Sequence, residues 1–198
     1  MKVPLPILVA VIGVLAYLAY QYIVGGPHNL IWVRASDGEQ YHVQNLPHSD
    51  DAAELMATIQ KNLSAIKTFY SQEEYQSDTP ARLLVERFHP SALMENDVTS
   101  SDTSYSENKG DKIVLCLRDK TSAPEFPLVD ANTVMFVVLH EMAHLMTTDL
   151  NAAKHTPEFW ANFRRLLQDA SKLGVYTPVN YARTPIPYCG MTITDSPL

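Results

Sequence analysis

Cysteine is scarce in this chain: Cys116 and Cys189 are the only two among 198 residues. Two thiols exclude a disulfide-built scaffold and a four-thiolate zinc knuckle, and leave either one bridge or a pair of free thiols. Runs of Lys and Arg are missing as well. Fifteen basic residues face 22 acidic ones, a formal net charge of −7. An acidic surface repels phosphate backbones, so nucleic acid is disfavoured as a direct partner. No internal repeat occurs, which excludes a solenoid or propeller. The length suits one good core rather than two, and a hydrophobic share of 46% is ordinary for a globular chain.

Among the features that are present, the first is a long uncharged run, "VPLPILVAVIGVLAYLAYQYIV", from Val3 to Val24. About twenty helical residues at ~1.5 Å rise span a hydrocarbon layer of ~30 Å. Tyr17, Tyr20 and Tyr22 lie toward its far end, where amphipathic rings favour an interface. A cleaved signal peptide is the competing reading, with Val24-Gly25-Gly26 as its cleavage site. The run is longer than a signal core and no Ala-x-Ala follows, so a membrane anchor is expected. Lys2 precedes the run and Arg34, Asp37 and Glu39 follow it. That asymmetry leans toward a single-pass protein whose main domain is lumenal or extracytoplasmic.

Gly25-Gly26-Pro27 reads as a hinge. "NLIWVRASDGEQYHVQNL" predicts a hairpin turning at Ser36-Asp37-Gly38. Helical spacing follows, with Ala52, Leu55, Met56, Ile59, Leu63, Ile66 and Phe69 on one stripe and Ser49 or Asp50 as cap. Residues 77–94 predict a short helix or strand ending near His89-Pro90. The polar stretch Glu95 to Asp111 lacks periodicity and reads as a long loop. "KIVLCLR", Lys112 to Arg118, predicts a strand with Ile113, Leu115 and Leu117 on one face. Asp130 opens an almost wholly apolar helix that reaches Thr147 and should be central and buried. Thr156 and Pro157 suit the cap and first position of another, ended by Gly174, with Phe159, Phe163, Leu166, Leu167, Ala170 and Leu173 as its core stripe. The proline-rich remainder reads as an extended tail.

The central helix carries "HEMAH". His140 and His144 are four apart and face the same way, so both imidazoles can approach one metal at ~2.0–2.1 Å. Glu141 is turned about 100° from His140, where it can hold a water and accept its proton without being a ligand. Zinc is the metal this arrangement suits, since it activates such a water near neutral pH. Two imidazoles and a carboxylate on an apolar helix otherwise need partners, because unpaired buried polar groups cost about 1–3 kcal/mol each. The third ligand must come from beyond the helix. His155, just before the next cap, is favoured; Asp149 and Glu158 are its rivals. Tyr176, Tyr181 and Tyr188 follow the second helix and could donate a hydrogen bond to a tetrahedral intermediate, although packing explains each of them too.

"LHEMAH" followed by "HTPEFW" resembles the WLM and SprT-like zinc metallopeptidases, whose third histidine precedes a helix with an aromatic residue four positions on; Phe159 holds that place. The resemblance extends to "LVERFHPSALMEND" and "KIVLCLR" and covers roughly residues 52–170. It implies His140, His144 and His155 as zinc ligands and Glu141 as catalytic base. It also implies a strand at Ile113–Arg118 that flanks the cleft and pairs with an extended protein or peptide substrate. The membrane run and acidic charge do not suit the DNA–protein crosslink repair associated with some relatives.

The expected fold is therefore α+β: a transmembrane helix, then a small zincin-like domain with a mixed sheet and a central HExxH helix. Residues 1–26 are anchor and hinge; residues 27–198 are the metallopeptidase domain, with its core at 52–173 and an extended C-terminal tail. The expected activity is that of a membrane-anchored zinc endopeptidase. A tethered binding module with a structural zinc, or a protease of DNA-bound proteins, are the alternatives. Nothing in the sequence sets the oligomeric state.

Overall fold

The computed structural model describes residues 5–24, 29–90, 93–108, 110–148 and 155–198, with side chains in the first helix at Pro6, Ile7 and 10–18. That helix, α1, spans Leu5–Val24. Among the described residues, no helix is long and apolar enough to cross a membrane. This finding overturns the expected transmembrane anchor, and with it the single-pass topology and the lumenal placement of the domain. The expected hinge at Gly25-Gly26-Pro27 lies outside the described residues.

Strands β1 (Leu30–Arg34) and β2 (Gln40–Gln44) form an antiparallel hairpin, with Leu30 opposite Gln44 and Arg34 opposite Gln40. Its turn requires Gly38, whose φ is 89°. Asp37 accepts from Glu39 N at 2.9 Å and from the Tyr41 hydroxyl at 2.7 Å. Both ends of Ser36 reach the Glu54 carboxylate on the next helix, at 2.6 and 2.7 Å. That helix, α2 (Ser49–Tyr70), begins one residue earlier than a Ser49 cap requires. The cap position is His48, left-handed at φ 62° with no capping side chain, and its ring lies 2.9 Å from Asp51. Helix α3 (Thr79–Arg87) starts under Asp78, which accepts from Ala81 N at 3.1 Å.

Three short strands make the central sheet: β3 (Leu93–Glu95), β4 (Tyr105–Glu107) and β5 (Lys112–Leu115), in the order β3-β5-β4. β3 runs parallel to β5 and β4 antiparallel. The stretch expected to be a featureless loop thus contributes an edge strand. β5 is paired on both sides, and Ile113 to Arg118 are all buried rather than alternating. A substrate strand therefore cannot add to β5 along Lys112–Leu115; the edge belongs to β4.

Helix α4 (Ala131–Leu145) crosses the core, capped by Asp130, which accepts from Thr133 N and Oγ1 at 2.9 and 3.1 Å. Its far end is closed by Arg87, whose guanidinium donates to the carbonyls of Leu145 and Thr147 at 2.7 and 2.9 Å. Helix α5 (Pro157–Lys172) packs against α4; Thr156 caps it, accepting from Phe159 N at 3.2 Å. Leu173, expected in the core stripe, is instead 37% exposed. The tail is not extended throughout. β6 (Ile186–Tyr188) and β7 (Met191–Ile193) form a second antiparallel hairpin around Cys189 and Gly190, both at positive φ. Cys116 and Cys189 are joined in a disulfide, which ties that turn to the end of β5.

Candidate metal centre

His140 and His144 sit one turn apart on α4, their rings 5.0 Å between centroids. His155 stands immediately before the cap of α5, and the α4–α5 packing carries its ring to 4.7 Å from His140 and 5.3 Å from His144. Nε2 of His155 and Nε2 of His140 are 3.1 Å apart. The three candidate ligand atoms all lie within 4.8 Å of one another. Two ligands of a tetrahedral zinc at 2.0–2.1 Å stand about 3.3 Å apart, so the donor set fits one ion with small side-chain adjustments.

One side chain backs all three rings. Phe159, fully buried, lies 4.8, 4.4 and 4.6 Å from the rings of His140, His144 and His155. Trp160 and Phe163 extend this floor beside His155 and His140. Four residues after His155, on the first turn of α5, is where an aromatic residue reaches back over the site. The environment also sets protonation. Burial, followed by the mutual repulsion of the other two imidazoles, pushes His140 down to about 3. It is therefore neutral at physiological pH, with a lone pair available to a metal.

Glu141 is buried on the same helix, and its pKa is pushed up to about 7 by desolvation, partly opposed by hydrogen bonds from the Ser106 side chain and backbone. Ser106 is on β4, so the edge strand orients this carboxylate. Glu158, a rival third ligand, is engaged elsewhere: its carboxylate accepts from Thr148 N at 3.0 Å and from Thr148 Oγ1. Asp149, the other rival, lies outside the described residues.

A cleft of about 310 Å³ opens on the centre, lined by His140, Glu141 and His155 and closed on its far side by Met191 to Asp195. Of the three tyrosines after α5, only Tyr188 lines it. Its buried hydroxyl donates to the Cys116 carbonyl at 2.8 Å and lies 2.7 Å from Ser104 Oγ. Tyr176 and Tyr181 pack on Phe136 instead. No sequence pattern signals Ser104, Ser106 or the Met191–Asp195 wall, because Glu95 to Asp111 reads as a loop and the C-terminal stretch as an extended tail. Gly190 was the one turn signal available there, and Pro187 nearby argued against a strand.

Against known proteins, the chain is 32% identical over 161 residues to the uncharacterized protein R325 of Acanthamoeba polyphaga mimivirus, covering 79% of this chain and 78% of that one. The sequence model of the WLM domain matches residues 86–183. The chain belongs to the WLM domain family. A second relative, protein 136R of Invertebrate iridescent virus 6, is 41% identical over 84 residues, 42% of this WLM protein and 44% of its own length. The crystal structure of Wss1 from Saccharomyces cerevisiae shares the fold, with a TM-score of 0.50 at 20% identity, covering 75% of this chain and 95% of that one. The family match takes in α4, the cleft's aromatic floor and all three histidines.

Proposed function

We propose that this WLM protein is a zinc-dependent metallopeptidase, with His140, His144 and His155 holding the ion and Glu141 acting as general base. The observation that carries the reading is the convergence of three imidazoles within 4.8 Å beside a buried carboxylate. Zinc, when bound, supplies Lewis-acid activation of water and of a peptide carbonyl. The chain's own residues supply the rest. Three imidazoles offer ring nitrogens to the ion, and Phe159 packs behind them. Glu141 accepts a proton at its carboxylate and can pass it to the leaving amine, while Ser106 keeps that carboxylate aimed. A site with three protein ligands opening onto a cleft leaves room for a reacting molecule, which a closed structural zinc site does not. That difference favours catalysis over a purely structural zinc.

Metal analysis of purified protein tests this. Wild type should carry about one zinc per chain, and His155→Ala should lose it. Glu141→Gln should keep the zinc yet hydrolyse no member of a peptide library that wild type cleaves, because the base is gone while the ligands stay. Undiminished hydrolysis by Glu141→Gln, or a wild type that binds no metal, would overturn the proposal.

A further inference from the structure

We propose that the β6–β7 hairpin is the selectivity wall of the cleft, and that the cleft takes a peptide carrying a large apolar side chain beside the metal centre while rejecting an acidic one. The proposal rests on the metallopeptidase reading for what happens next, but not for the pocket itself.

Three observations carry it. First, the space is small: about 310 Å³, at the lower end of ligand clefts, has room for one bulky side chain and its flanking backbone. Second, its lining is divided by chemistry. The helices contribute Phe136, Val137, Trp160 and Phe163, and the hairpin faces them with Met191 and Ile193. An apolar side chain set between those walls leaves water on both faces. Third, apart from Glu141, the one carboxylate among the lining residues is Asp195, exposed just past β7. It repels a substrate carboxylate at short range, and the chain's net charge of −7 acts in the same direction at longer range.

The wall is preformed rather than induced. Tyr188, at the end of β6, is held to the Cys116 carbonyl and to Ser104, and Cys189 is covalently joined to Cys116. Met191 stands on this braced turn and is itself 49% exposed. Replacing it should alter what the cleft accepts without unsettling the core.

Trp160 lines the cleft and provides the readout, in a Trp32→Phe background that removes the only other tryptophan. Glu141→Gln protein, with and without zinc, is titrated with short blocked peptides identical except for a central Phe, Leu, Ala, Lys or Glu. The Phe and Leu peptides should bind at least about tenfold more tightly than Ala, and Glu more weakly than Ala. Met191→Glu should erase the apolar preference and raise Lys above Phe. Peptides that bind alike, or a ranking that Met191→Glu leaves unchanged, would overturn the proposal. Cleavage of the same peptides by the zinc-loaded Trp32→Phe protein separates the two readings. Ranked binding with no cleavage keeps the pocket and removes the peptidase; cleavage with no ranking does the reverse.

Discussion

Glu141 and His140 are neighbours in sequence, yet burial drives their titrations in opposite directions, and this gives a test needing neither metal nor substrate. In the folded chain Glu141 is raised from 4.5 to about 7, so between those values the folded state holds a proton that the unfolded state has lost. Stability of the metal-free protein therefore falls as pH rises through that window. His140 is lowered from 6.5 to about 3, so its contribution rises with pH between those values and is complete above the upper one. Over their overlap the two slopes oppose each other. Glu141→Gln removes only the first. The metal-free variant should be more stable than metal-free wild type at pH 8 by up to about 3 kcal/mol, with the gap closing below about pH 4.5. Urea unfolding across that range checks it, and equal stability at pH 8 would mean the carboxylate is not desolvated. His140, Glu141 and His144 were legible in the sequence because helical spacing alone puts them on adjoining faces. Ser106, which aims the carboxylate, was not. Its place depends on the pairing of β4 with β5, and a three-residue strand, Tyr105–Glu107, is too short to reveal a period of two.

At the scale of elements, the centre depends on how α4 hands over to α5, because two ligands ride on one helix and the third precedes the other. The handover is clasped where it begins and ends. Thr148, just past α4, donates its N–H and hydroxyl to Glu158 in the first turn of α5. Closing that clasp limits where His155 can go, although neither residue touches the imidazoles' ligand atoms. Glu158→Gln or Thr148→Ala should weaken zinc binding by up to about tenfold, the low end of the effect of changing groups bonded directly to metal ligands, and the double variant should be no worse than the stronger single. Competition with a chelating dye measures this; unchanged affinity would reduce the clasp to a helix-end ornament. Both helices were readable in advance, because Asp130, Thr156, Pro157 and Gly174 are local stop and start signals. The strands were harder. β5 is flanked on both edges by β3 and β4 and buried residue after residue from Ile113 to Arg118, so the expected alternation of Ile113, Leu115 and Leu117 understated how deeply the run is enclosed.

Across the whole molecule, two long-range ties converge on the end of β5, and neither could be read from local pattern. Arg118 and Glu95 form a buried pair at 2.7 Å, each almost fully enclosed, and Arg118 also donates to the Pro47 carbonyl at 2.6 Å. Glu95 in turn accepts from Gln44 N at 2.7 Å, which draws the first hairpin onto the central sheet. Two residues before Arg118, Cys116 reaches Cys189 across a sequence separation of 73. A bridge closing a loop of that size restricts the unfolded chain by about 4 kcal/mol in the chain-entropy account. Reduction by a dithiol, or the pair Cys116→Ala and Cys189→Ala, should therefore lower unfolding stability by roughly that amount. The functional consequence should be selective. The three imidazoles stand on α4 and at the start of α5, neither of which the bridge holds, so zinc affinity should survive reduction. The β6–β7 wall loses its covalent tie, so discrimination among peptides should decline while metal content stays at one per chain. Loss of zinc on reduction would show instead that hairpin and metal centre form one cooperative unit, and that the wall cannot be loosened separately from the ligands.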